Sequence, residues 1–211
     1  LFERASVKIV TDPEELKAKK KGYVSFAFPL DNLNIKEDGI SQLLCHLMGG
    51  HLDIDAIRKC KLVELDLPED FLAAFKGPRF GVPGIREFAK AYNKPVLGSI
   101  IKPKVGLTKE KLLDIVKELI DGGVDFIKED EIMSNPAIAP LEERVAYIMK
   151  YVNNCGKKII YAVCINSDYP YFLERAKKVY ALGGNCVHLN IWAGLSAYKA
   201  LRDLDLPIML F

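Results

Sequence analysis

The sequence contains no apolar run approaching the ~18 residues that a membrane-spanning helix needs. Its opening residues, LFERASVKIV, lack the basic, then apolar, then small-residue order of a secretion signal. They also lack an initiator methionine, which suggests a piece of a longer protein. Cysteines are few and unpaired in pattern. Cys45, Cys60, Cys155, Cys164 and Cys186 are odd in number, widely spaced and never in a CxxC, so neither a disulfide framework nor a zinc motif is expected, and a reducing cytoplasm fits. Cys45, His46 and His51 lie close together, but not at the helical spacing of metal ligands, and no metal site is expected there. Nor is there an excess of charge: 30 basic residues face 28 acidic ones. The densest basic spot, AKKK at 18–21, reads as a solvated turn, so neither nucleic acid nor a membrane is expected as a partner.

What is present is an ordinary globular composition, 50% hydrophobic and 27% charged. The first third reads as α+β. Residues 7–10 and 23–30 (YVSFAFPL) have strand composition, GISQLLCHLM (39–48) carries a helical stripe ended by Gly49-Gly50, and IRKCKLVELDL (57–67) reads as a returning strand. That is a partial ferredoxin-like sandwich, expected to lack its beginning. FKGPRFGVPG (75–84), rich in glycine and proline, reads as the connection to a second domain, which gives expected domains of 1–76 and 77–211.

From there strands and helices alternate. Strands are expected at 94–102, 124–128, 158–166, 186–192 and 207–211, with helices at 108–121, 141–154, 171–182 and 196–203. Thr108 is placed to cap the first helix and Gly122-Gly123 to stop it. Short apolar strands alternating with helices specify a parallel sheet. Five strands are compatible with a doubly wound sheet or with part of a (β/α)8 barrel, and composition does not choose.

Function in such folds gathers at the carboxyl ends of the strands. Here the first strand ends in IIKPK and the second in the stretch GGVDFIKEDE (122–131). Side chains alternate along a strand, so Lys102 and Lys104 share a face, as do Lys128 and Asp130. Glu131 follows where the strand gives way to a loop. These residues read either as solvated ion pairs or as a hard oxygen site for Mg²⁺ beside an acid/base lysine. Asn166, His188 and Asn190 are further candidates on the next two strands. Cys164 reads as a small core residue and Trp192 as barrel packing.

The strings GSIIKPKVGL (98–107) and GGVDFIKEDE resemble two signature segments of the ribulose-bisphosphate carboxylase (RuBisCO) large-subunit superfamily, and FKGPRFG and YAVCIN fit around them. The resemblance runs from about Phe26 to the end of the chain. It implies a ferredoxin-like N-terminal domain followed by a (β/α)8 barrel, of which about five strands are present. It implies that Lys128 reacts with CO2 to form a carbamate, that this carbamate with Asp130 and Glu131 holds Mg²⁺, and that Lys102 is the lysine that shuttles the substrate proton, with Lys104 its neighbour. Burial near the metal is expected to lower the pKa of Lys102 so that it acts as a base. The resemblance further implies a homodimer or a higher oligomer, with the loop 49–53 approaching the partner's barrel.

The departures narrow the function. Gly50 stands where the carboxylases carry an asparagine and the methionine-salvage enolases a lysine. Ile100 stands where the carboxylases carry a threonine, Glu129 replaces an aspartate, and GPRFGVPG looks like the form of the RuBisCO-like proteins often called form IV. The expectation is a RuBisCO-like, Mg²⁺-dependent enzyme, lyase or isomerase, that shifts a proton on a phosphorylated keto sugar or related compound. A genuine carboxylase, a lysine Schiff-base aldolase and a non-catalytic binding member remain alternatives.

Overall fold

The computed structural model describes residues 2–12, 14, 17, 22–50 and 59–211. The chain divides into two compact units, Leu1–Phe75 and Lys76–Phe211.

In the first unit, helix α1 (Phe2–Ala5) precedes strand β1 (Lys8–Ile9), which pairs antiparallel with β2 (Phe26–Ala27). A short 3-10 turn, Leu30–Asn32, leads to helix α2 (Gly39–Met48), and α3 spans Glu69–Leu72. Both strands are shorter than the 7–10 and 23–30 expected: the ladder pairs Lys8 with Ala27 and Ile9 with Phe26 and stops short of Pro29, which has no N–H to donate. The returning strand expected over 57–67 is not formed by residues 59–67. Leu62 and Val63 there are more than half exposed, so the apolar alternation of KLVEL faces no covering layer. Residues 57 and 58 lie outside the described residues, as do the AKKK run and His51–Asp53 of the expected partner-facing loop. Cys45 is exposed, and His46 meets Gln42 at 3.3 Å and the edge of Phe28.

The boundary between the two units falls within the glycine- and proline-rich stretch expected as a connection. Residues 75–80 of that stretch form no helix or strand, and residues 81–84 open helix α4, Gly81–Ala89. Pro83 lies in its first turn, where a missing N–H leaves no intrahelical bond unmade, and Gly81 takes the positive φ of 56° that the entry requires. Five parallel strands follow in the order β3 (Gly98–Ile100), β4 (Phe126–Lys128), β5 (Ile160–Cys164), β6 (Cys186–His188) and β7 (Met209–Leu210). Helices α5 (Lys109–Asp121), α6 (Leu141–Val152), α7 (Tyr171–Ala181) and α8 (Leu195–Asp203) connect them. The Thr108 hydroxyl caps α5 by accepting from Lys111 N–H at 3.4 Å.

One row of residues runs across the sheet in register: Ile100, Lys128, Ala162, Cys186 and Met209. Because the side-chain period is two, this row and its neighbours two residues away share one face, and the residues between them point into the helix layer. The helix-side core holds Ile127, Tyr161, Val163 and Val187 against Leu112, Val116, Val145, Ile148 and Val179. On the other face Ile160, Ala162, Cys186 and Met209 pack with Phe126 and with Phe80, Ile85 and Phe88 at the start and along α4. So α4 covers the apolar, amino-terminal end of that face and leaves its carboxyl-terminal end to the polar residues. No helix among the described residues is long and apolar enough to cross a membrane.

Candidate active site

The polar end of the inner face collects the lysines and carboxylates named above. Lys128 is the last residue of β4 and is 6% exposed. Its Nζ donates to the Glu129 carbonyl at 3.1 Å and to Glu131 Oε2 at 3.2 Å. Lys102, two residues past β3, donates from Nζ to Asp130 Oδ2 at 3.3 Å and to Glu131 Oε1 at 3.2 Å. Asp130 is fixed from behind, since its Oδ1 accepts from Ile132 N–H at 3.0 Å. Four of the candidates are thus brought into one cluster. Lys104 is not: among the described residues its side chain makes no hydrogen bond or ion pair, although it stands at the same strand end.

The electrostatics follow from these contacts. Glu131 is pushed down to about 2 by its own backbone N–H and by the ammonium groups of Lys128 and Lys102. The pKa of Lys102 is raised: its hydrogen bonds to Glu131 and Asp130 lift it, and burial opposes this. In this state Lys102 is an ammonium, and pairing rather than burial governs it.

The remaining candidates sit around the cluster. Asn166 Nδ2 donates to the Glu131 carbonyl, and its Oδ1 accepts from Asn190 N–H at 2.6 Å, so its amide braces the loops after β4 and β6. The Asn190 side chain caps the 3-10 turn Ile191–Ala193 by accepting from Trp192 N–H at 3.2 Å. That turn ends β6 earlier than the 186–192 expected and swings Trp192 outward. Trp192 is 92% exposed, so the barrel packing expected of it is not met among the described residues. His188 is buried against Phe211, and its Nδ1 is the one buried side-chain N or O without a partner among the described residues. Burial first, and then the Lys128 ammonium, push its pKa down to about 4, so the ring is neutral near pH 7.

Glu129 is the residue whose role the sequence reading missed. It alternates out of the site and lies fully buried in the helix layer. Arg144 of α6 binds it through two bonds, Nε to Oε1 at 2.7 Å and Nη2 to Oε2 at 3.1 Å. Tyr161 Oη and Cys164 N–H donate to the same carboxylate at 2.9 and 2.8 Å. Arg144 spends its other donors on the carbonyls of Ala139 and Ser134. The signal was available: an acid at an outward position of a buried strand requires a cation, and Arg144 lies on the α6 face that also carries Leu141, Val145 and Ile148.

Comparison with known proteins points to one family. The family profile described as "Ribulose bisphosphate carboxylase large chain, catalytic domain" matches residues 81–206. The chain belongs to the ribulose-bisphosphate carboxylase large-subunit family. Among its RuBisCO-family relatives, a "3-oxo-isoapionate-4-phosphate decarboxylase" of Rhizobium etli is 38% identical over 192 residues, 87% of this chain and 45% of that protein. The crystal structure of a rubisco-like protein from Burkholderia fungorum superposes with a TM-score of 0.80 at 36% identity, covering 89% of this chain and 46% of the other. The octameric RuBisCO from Pyrococcus horikoshii superposes with a TM-score of 0.85 at 30% identity, covering 99% of this chain and 50% of the other. The chain thus spans about half the length of these relatives, and its second unit is a partial (β/α)8 barrel.

The residues fit the metal that the family implies. The two carboxylates already converge on cationic groups, and they are oxygen donors of the kind a hard divalent ion takes. Two lysines now balance the two acids. Converting Lys128 to a carbamate would leave one cation against three anions, a deficit that a divalent ion fills.

Proposed function

We propose that this chain forms part of a Mg²⁺-dependent RuBisCO-like enzyme, of the cytoplasm, that moves a proton on a phosphorylated keto sugar or a related acid. The observation that carries this reading is the convergence of Lys102 and Lys128 with Asp130 and Glu131 at the ends of β3 and β4. Lys128 as its carbamate, Asp130 and Glu131 would hold the metal, which when bound supplies Lewis-acid stabilisation of negative charge developing on substrate oxygens. Lys102 is the acid/base. Its half-exposed ammonium reaches the open end of the inner face, where it can give a proton to a substrate carbon or, once released from its carboxylates, take one. Lys104 adds a cation at the same strand end for an anionic substrate. His188 offers a neutral ring with a free Nδ1, and Asn166 and Asn190 hold the loops in place.

CO2 fixation asks for more than this. Ile100, beside Lys128 in the ladder, has no hydroxyl to contact a substrate, and Gly50 has no side chain at all. Each missing charge-assisted hydrogen bond costs about 1.5–3 kcal/mol, roughly ten- to a hundredfold in rate when it acts in the transition state. Proton transfer depends on the lysine and the carboxylates and survives both losses.

The Rhizobium etli relative favours one further reading, decarboxylation of a phosphorylated 3-oxo acid. Loss of CO2 from such an acid leaves an enolate whose carbon must be protonated, and the same donor and charge stabilisation serve it. The test measures solvent-deuterium exchange into candidate keto-sugar phosphates beside ¹⁴C-bicarbonate incorporation with ribulose bisphosphate. Exchange without fixation, abolished by Lys102→Met, is expected. CO2 release from a phosphorylated 3-oxo acid would select the second reading, and carboxylase-level fixation would overturn both.

A further inference from the structure

The two carboxylates of the site already hold a cation. Lys102 Nζ bridges one oxygen of each, 3.3 Å from Asp130 Oδ2 and 3.2 Å from Glu131 Oε1. The other oxygens are committed, Asp130 Oδ1 to Ile132 N–H at 3.0 Å and Glu131 Oε2 to Lys128 Nζ at 3.2 Å. A divalent ion shared by Asp130 and Glu131 would meet the ammonium that bridges them, and the two positive charges would repel. The two lysines differ in their freedom to leave. The Lys128 side chain is 7% exposed, whereas that of Lys102 is 50% exposed and has solvent to move into.

We infer that Lys102 is the resident counter-ion of the Asp130–Glu131 pair, and that a divalent metal enters by exchange with its ammonium. This rests on the metal site proposed above. The exchange gives one residue two linked duties. Before loading, Lys102 neutralises two acids that face each other across the site, and it is tied to them. After loading it is released, with its nitrogen free for proton transfer. The acid/base is therefore available only in the loaded enzyme, and an unloaded site does not deprotonate substrate by itself.

The inference makes a prediction opposite to the usual effect of removing an active-site residue. Mn²⁺ binding to the full-length protein, followed by the electron paramagnetic resonance of the free ion at saturating bicarbonate, should tighten about tenfold in Lys102→Met, since two ion-pair contacts no longer compete. Lys102→Gln serves as the second variant should the methionine not fold. Lys102→Arg keeps the cation and adds a second donor arm, so it should bind no more tightly than the native protein. Lys104→Met removes the same charge from the same strand end without touching either carboxylate, and it should change the affinity far less than Lys102→Met. Unchanged or weaker binding in folded Lys102→Met or Lys102→Gln overturns the exchange while leaving the metal site standing, and so does an equal gain in Lys104→Met. Mn²⁺ binding that ignores Asp130→Asn overturns both the exchange and the site.

Discussion

At the scale of single residues, two lysines of like type have opposite environments because of where each strand lets go of the sheet. Lys128 still lies in the ladder and is buried, so its nitrogen is committed to Glu131 and a carbonyl. Lys102 lies beyond β3 and reaches back across the gap. Lys128→Met should therefore remove the dependence of Mg²⁺ affinity on bicarbonate, measured by calorimetry with and without CO2. Affinity that still rises with bicarbonate in that variant would place the carbamate elsewhere. Glu129 and Arg144 follow different physics. Both side chains are fully buried, and removing one partner strands a charge in an apolar layer. Burial opposes the Arg144 charge, but the Glu129 carboxylate outweighs it and raises the pKa. Arg144→Met should cost about 3–5 kcal/mol in denaturant unfolding, and Glu129→Gln added to it should restore part of that loss, because the stranded anion is gone. A double variant no more stable than Arg144→Met alone would contradict this.

At the scale of elements, the second unit is held by short devices at strand starts and helix ends. Asp125, just before β4, accepts from Lys94 Nζ at 2.8 Å and from Leu97 N–H at 3.1 Å, which ties the entries of β3 and β4 together. The Lys94 ammonium holds the Asp125 carboxyl below its ordinary value. A lowered folded-state pKa stabilises above the unfolded pKa of ~3.9 and is lost as pH falls through the folded value. Asp125→Asn should thus cost about 0.5–1.5 kcal/mol at pH 7, discounted for the half-exposed lysine, and the difference from native should shrink below pH ~4. Urea melts at the two pH values check it. Gly184, between α7 and β6, has no room for a side chain: a Cβ there would lie 2.4 Å from Val179 Cγ1 and 2.8 Å from the Val179 carbonyl oxygen. Gly184→Ala should lower stability by about 1–3 kcal/mol in the same assay. The four β/α repeats and the last strand were legible because their apolar runs follow one rule and glycines stop α5, α6 and α7. Helix α4 was not legible, since Gly81 and Pro83 signal a loop anywhere except in a first turn. The strand expected at 57–67 failed for the converse reason: alternation describes a strand but does not supply its neighbour. Within the site, strand alternation put Lys128 and Asp130 on one face, and it was the family resemblance that joined them to Lys102 and Glu131. The outward-facing Trp192 could not, because it depends on Asn190 turning the chain.

At the scale of the molecule, the inner face of the second unit runs from apolar at the α4 end to charged at the other, so folding and chemistry use different ends of the same strands. The oligomer belongs to this scale too. We expect the complete protein to work as a homodimer or a larger assembly, like the octameric relative, and an active species that sediments as a monomer would refute that. The outward fork of Arg144 on Glu129 has one more effect. Sliding β4 by a single residue would put Glu129 into the site and turn Lys128 and Asp130 toward α6. In one direction Arg144 would meet a lysine, and in the other the shorter Asp130 in place of a glutamate held by four hydrogen bonds. A pair that touches no substrate thus fits best the alignment in which the site faces inward.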